Sequence, residues 1–358
     1  MQRVLLSDLK NGMITAEDVF SVDRQLIVPK GIALTENLIG RLFSFDVFSI
    51  KIEDEILTSK SGTVSSEISY AEKVKASPDF QEFKKEFKEN IDKLEFSMNA
   101  IVEKNADFDT NDLLSNTMSL IEKRESSVGM MDMILNMHDF DDCTYSHSLN
   151  VALICNIFAG WLRFSPEERE LATACGLFHD MGKLTIPKEI LNKPGKLTAS
   201  EYKVVESHPL ESYKILSRFN LPDDVKNAAL MHHERCDGSG YPYGFTYEKI
   251  NRFAKLVAIA DVYEAMTSSR TYREAMCPFS VITHFENDGL QKYDPAFLLP
   301  FLENVVNTFL NQKVRLSNGL EGSIIFINPV YLTKPTIKVG DRFLDLKQMD
   351  NVDIEKII

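Results

Sequence analysis

After Pro78, apolar residues fall three and four positions apart, at Phe80, Phe83, Phe87, Ile91, Leu94, Met98 and Ile101, with lysine and glutamate on the intervening faces. That spacing predicts one amphipathic helix of five or more turns. Its stripe packs on a neighbouring helix or, over the three heptads it sustains, forms the seam of a homodimer through residues 79–102. A second helix starts near Thr110 or Asn111 and carries Leu113, Leu114, Met118 and Ile121. Met130, Met131, Met133 and Met137 read as adaptable core packing.

From Val151 to Leu162 the pattern is almost continuously apolar, and a polar approach containing His147 leads into it, which predicts a helix running through Trp161. Ser165, Pro166 and Glu168 form a capping signature for a helix from Glu167 to His179. Thr198 and Glu201 begin another, from Ala199 to Glu206 and ending in His208-Pro209, and the next runs from Val225 to His233. A last helix is expected from Asn251 to Ser268. Outside this region, residues 1–57 and 313–358 alternate in the manner of strands, with a helix from Thr35 to Phe43 and a hairpin turn at Asn318-Gly319. Ser59 to Ser66 reads as a polar linker. The expected fold is mainly α: a small N-terminal α+β module (1–58), a linker with amphipathic helices (59–128), a helical domain (129–312) and a C-terminal β appendage (313–358).

Composition narrows the function. A net charge of −13 over 358 residues argues against a protein that tracks a nucleic-acid polymer. Five scattered cysteines, none in CxxC spacing, argue against a disulfide framework or zinc knuckle and fit a reducing cytosol. Met1-Gln2-Arg3 opens no signal peptide, and Val151 to Leu162 is shorter than the roughly 20 residues a membrane span needs. A cytoplasmic protein without a membrane span is the expectation.

The chemistry concentrates around His179-Asp180. An imidazole and a carboxylate both bind divalent metals, and a carboxylate can place its two oxygens on two ions. Five of the seven histidines (His147, His179, His208, His232 and His233) fall within one stretch of the helical domain. Asp261 lies in an otherwise apolar run, where a carboxylate is costly unless paired or metal-bound. Nitrogen and oxygen donors without thiolates suit two divalent ions, iron, manganese or zinc. His138 and His284 fall outside the pattern and read as surface residues.

Over residues 129–312 these blocks resemble the HD-GYP domain, a subgroup of the HD-superfamily metal phosphohydrolases associated with hydrolysis of cyclic dinucleotides. The matching blocks are His147-Ser148, His179-Asp180 with Gly182-Lys183, Gly195-Lys196-Leu197-Thr198, His208-Pro209, His232-His233-Glu234-Arg235 through Gly240-Tyr241-Pro242, and Ala260-Asp261-Val262-Tyr263 through Arg270. The resemblance implies one metal on His147, His179, Asp180 and Asp261 and another on Asp180, His208, His232 and His233, with Asp180 as the bridge. A hydroxide shared by the two ions would attack phosphorus in line. Lys183, Arg270 and Arg273 match basic positions near the phosphate, and Lys183 could instead protonate the leaving 3′ oxygen. Tyr241 would shape the site or stack on a base. The implied activity is metal-dependent hydrolysis of cyclic di-GMP to pGpG and onward to GMP, with iron or manganese as the metals and zinc as a third option. Its rivals are hydrolysis of another cyclic dinucleotide, such as 3′,3′-cyclic GMP-AMP, and a receptor that binds without turnover. The sequence departs from the family pattern at Cys143, where some members place a glutamate that helps hold a third metal, and at Ser212, Glu264 and Thr271. A dinuclear site is therefore expected, with Asp141 or Asp142 as weak substitutes for the missing ligand.

Overall fold

The computed structural model describes residues 70–104, 110–124, 127–137, 144–268, 275–340, 342–349 and 351–358, together with parts of 2–52. The expected helix from Thr35 to Phe43 lies almost wholly outside the described residues, and so do the linker at Ser59 to Ser66, Asp141, Asp142, Cys143, His138, Arg270, Thr271 and Arg273. The fold is mainly α. It forms two compact units, residues 70–308 and residues 1–69 with 309–358. The amphipathic helices thus share a unit with the histidine-bearing segment.

In the larger unit, α1 (Tyr70–Ala76) leads into α2 (Pro78–Lys104), whose seven stripe residues are all buried. Their neighbours are α3 (Thr110–Glu122) and α5 (Thr144–Trp161) of the same chain. The stripe is therefore filled by intrachain packing. On α3 the buried face is Leu113, Thr117 and Leu120, so Leu114, Met118 and Ile121 flank the core rather than fill it. α4 (Ser127–Leu135) buries Met130 and Met131.

α5 pairs with α6 (Pro166–Phe178), and the two lie tight together at Gly176, where an added Cβ would lie 2.9 Å from Ala152 Cα. Ser165 caps α6 through the predicted capping box with Glu168. A short 3₁₀ helix (Met181–Thr185), α7 (Lys188–Leu191) and α8 (Ala199–Val205), with its own Thr198–Glu201 capping box, follow. His208 does not end α8, as expected, but opens α9 (His208–Leu216), because Pro209 favours the first turn of a helix over the last. α10 (Asp223–Met231) and α11 (Arg252–Thr267) pack on α6. Two further helices that the sequence reading did not resolve, α12 (Pro278–Lys292) and α13 (Pro295–Thr308), complete the unit. His284 is half-exposed on α12, as expected.

The smaller unit holds β1 (Gln2–Leu5) antiparallel to β4 (Ser49–Ile52) and β2 (Val19–Phe20) antiparallel to β3 (Leu26–Val28), around a core that includes Val4, Val28, Leu34, Leu42 and Ile50. Its C-terminal part is a five-stranded antiparallel sheet: β5 (Lys313–Leu316), β6 (Glu321–Asn328), β7 (Tyr331–Val339), β8 (Arg342–Asp345) and β9 (Ile354–Ile357), in the order β8-β7-β6-β5-β9. Asn318-Gly319 makes the predicted hairpin, with Gly319 at φ 84°. Among the described residues no helix is long and apolar enough to cross a membrane.

Candidate metal centre

Seven side chains that the sequence singled out converge inside the larger unit. His147 comes from the first turn of α5, His179 and Asp180 from the end of α6, His208 from the start of α9, His232 and His233 from the end of α10, and Asp261 from the middle of α11. They form two sets: His147, His179 and Asp261 in one, Asp180, His208, His232 and His233 in the other. Donor atoms within each set lie within 4.8 Å of one another.

Asp180 stands between the sets. Its Oδ2 is 3.4 Å from His147 Nε2 and 3.2 Å from His179 Nε2, whereas its Oδ1 is 3.2 Å from His208 Nε2 and 3.6 Å from His232 Nε2. One carboxylate thus presents a different oxygen to each set.

Hydrogen bonding decides which ring nitrogens are free. Nδ1–H of His179 donates to the Gly176 carbonyl (2.7 Å), that of His208 to the Val205 carbonyl (2.7 Å) and that of His232 to the Ala229 carbonyl (2.9 Å). A carbonyl oxygen only accepts, so in the neutral ring the proton is on Nδ1 and Nε2 carries a lone pair. His208 and His232 bring their Nε2 atoms within 3.2 Å of each other. Two lone pairs that close repel unless a cation or proton lies between them. His147 Nε2, His179 Nε2 and Asp180 Oδ1 are buried without a hydrogen-bond partner. Left unpaired, such buried polar atoms are costly. Imidazole nitrogens and carboxylate oxygens, the imidazoles held by hydrogen bonds on their far nitrogens, are the donor set of a divalent-metal site, and the cluster fits such ions.

The charges agree. Burial would raise the Asp180 pKa, but His179, Lys183 and His147 outweigh it and hold the carboxyl well below the usual range. Asp261 is likewise held well below by His147 despite burial. Burial pushes His232 down to about 4, leaving it neutral at physiological pH, ready to ligate. Burial also acts to lower His147, yet the carboxylate of Glu264, followed by Asp180 and Asp261, carries it well above its ordinary value. Buried anions here outnumber cations, so His147 keeps a proton that a metal ion would displace.

Backbone packing fixes the geometry. An added Cβ on Gly182 would lie 2.1 Å from the His208 carbonyl oxygen, and Gly182 N–H donates to Ser212 Oγ (2.7 Å). Lys183, partly exposed, pairs with Asp180 Oδ2. Tyr241 stacks on His233, with ring centroids 4.6 Å apart and 22° between planes. The loop that carries it is held by buried Glu234, whose carboxylate accepts from Tyr243 N–H (2.8 Å) and Phe245 N–H (2.9 Å). The sequence marks Glu234 only as part of a motif and Glu264 only as a departure from the family pattern. The usable signal for Glu264 was its position one turn after Asp261 in a run too apolar to tolerate an unpaired carboxylate.

A family model described as "HD domain" matches residues 111–297, just over half of the chain. Among curated proteins, a cyclic di-GMP phosphodiesterase of Pseudomonas aeruginosa is 35% identical over 209 residues, 58% of this chain and 50% of the relative. A 3′3′-cGAMP-specific phosphodiesterase of Vibrio cholerae is 42% identical over 133 residues, 37% of this chain and 31% of the relative. A cyclic di-GMP phosphodiesterase response regulator of Xanthomonas campestris is 39% identical over 146 residues, 40% of this chain and 38% of the relative. The chain thus spans half or less of the length of these relatives. With the family match laid over a cluster of buried histidines and aspartates, the chain belongs to the HD domain family.

Proposed function

We propose that the chain is a metal-dependent phosphodiesterase that opens cyclic di-GMP to pGpG and onward to GMP. The observation that carries this reading is Asp180, whose two oxygens face two separate histidine sets. In this reading one ion sits on His147, His179, Asp180 and Asp261, and the other on Asp180, His208, His232 and His233. Iron or manganese suits the nitrogen and oxygen donors, with zinc as the alternative. Bound, the ions supply Lewis acidity and an activated water for in-line attack on phosphorus.

The chain's own groups position and neutralise. Lys183, partly exposed with its ammonium paired to Asp180 Oδ2, is assigned to meet a non-bridging phosphate oxygen or to give a proton to the leaving 3′ oxygen. Arg270 and Arg273 follow the end of α11 in sequence and are assigned to the phosphates. Tyr241 keeps the His233 ring in place by stacking and shapes that side of the site. A second reading, hydrolysis of 3′,3′-cyclic GMP-AMP, draws on the Vibrio relative, the most similar of the three over its matched span.

Metal analysis under anaerobic conditions, paired with product identification across several cyclic dinucleotides, tests both. Two ions per chain and a linear product are expected from wild type, and Asp180→Ala should lose both ions and all hydrolysis. Unchanged metal content in Asp180→Ala would sink the bridging assignment, and a preference for 3′,3′-cyclic GMP-AMP would favour the second reading.

A further inference from the structure

We propose that Glu264 is a positioning residue for this centre, locking His147 in the orientation that binds metal and making the His147/His179/Asp261 site the tighter of the two. The inference rests on the two-ion reading above. Three of the four histidines whose Nδ1 partner is resolved donate to backbone carbonyls, and His147 alone donates to a carboxylate, Glu264 Oε2, at 2.5 Å. An anionic acceptor makes the opposite ring nitrogen a stronger donor to metal than a neutral carbonyl does.

Glu264 is itself fully engaged. Its Oε1 accepts from Asn150 Nδ2 (3.0 Å) and from Ser268 Oγ (2.7 Å), and the residue is buried. With both oxygens taken, the carboxylate is held in place and kept from swinging onto an ion. Asn150 lies one turn beyond His147 on α5, so the clamp ties the ligand's own helix to α11. Asp261 and Glu264, three residues apart, share one face of α11. Asp261 Oδ1 is 3.1 Å from His147 Nε2 while Glu264 grips Nδ1, so one helix face addresses both nitrogens of the ring. In the other set, His208 and His232 donate their Nδ1–H groups to backbone carbonyls instead.

The test is stepwise titration of metal-stripped full-length protein with Mn²⁺, comparing wild type, Glu264→Gln, Glu264→Asp and Asn150→Ala. Two binding steps are expected from wild type. Glu264→Gln should weaken one step by about 10- to 100-fold and leave the other unchanged. Glu264→Asp should restore part of the loss, and Asn150→Ala should produce a smaller loss in the same step. Two wild-type steps that Glu264→Gln leaves intact, or weakens equally, overturn the proposal. Fewer than two wild-type steps overturn the two-ion reading instead. Should Glu264→Gln fail to fold, the Asn150→Ala, Ser268→Ala double variant removes both side-chain anchors of the carboxylate. Selective weakening of one step then supports the role, and equal binding at both steps refutes it.

Discussion

α2 and α5 are long helices of the same unit built on opposite patterns. α2 buries one stripe and leaves its other faces largely polar, so α3, α5 and the short elements beside them are enough to cover it. α5 buries every residue from Ser146 to Ala159 and is surrounded by α2, α3, α4, α6, α11 and α13. A helix with no solvent face must satisfy its polar groups from within the protein. His147 and Asn150 do so only in part, through His147 Nδ1 and Asn150 Nδ2 on Glu264, and Asn156 does so on Thr173 and Arg169. Stability without chemistry therefore resides in the amphipathic layer, and chemistry is housed where burial makes every polar atom expensive.

The separation breaks most visibly at Phe87, fully buried on α2. Phe87→Ala should cost about 3–5 kcal/mol of stability in denaturant unfolding, with metal content unchanged in the folded protein. Loss of metal together with stability would show that the layer supports the centre after all.

Acid and base probe the other side. In metal-free protein His232 titrates near 4 instead of its ordinary 6.5. Between those values the unfolded chain binds a proton that the folded one refuses, so stability falls as pH drops from 6.5 toward 4. His147, raised well above 6.5, works in the opposite sense: its contribution is complete below 6.5 and is lost as pH climbs through its folded pKa. Metal-free protein should be most stable close to pH 6.5, and unfolding free energies measured from pH 4.5 to 8.5 check this. A monotonic profile would contradict it.

Asn156→Ala, on α5 but away from the metal donors, should cost about 1–3 kcal/mol by stranding the Thr173 and Arg169 partners. Thermal unfolding with a parallel metal assay separates this from a metal effect. The smallest change expected is Ser165→Ala at the α6 cap, about 1 kcal/mol with no change in metal binding.

What the sequence disclosed follows the range of the forces involved. The capping boxes at Ser165 and Thr198 and the Phe80-to-Ile101 stripe are set by residues a turn apart, and they were legible without a structure. The seven metal-donor candidates were also legible, because histidines and lone aspartates stand out in helical surroundings, and the fold gathers them into one place. α13 escaped notice because Pro300 lies inside it, where proline usually ends a helix. α12 contains Gly289, a poor helix former, where a Cβ would lie a tight 3.2–3.3 Å from the Leu298 and Phe285 side chains. β9 pairs with β5 some forty residues earlier, and Glu264 meets a histidine 117 residues away. The apolar run around Glu264 hints that the carboxylate needs a partner, but nothing local in either segment names which partner it meets.

The near-contact between Gly182 and the backbone of His208 has a mechanical consequence. With no side chain to cushion it, the turn after Asp180 rests directly on the first residue of α9, so the donor shared by both histidine sets and one member of the second set travel as one linkage. Any force that tips α9 is geared into the middle of the cluster instead of being absorbed on the way.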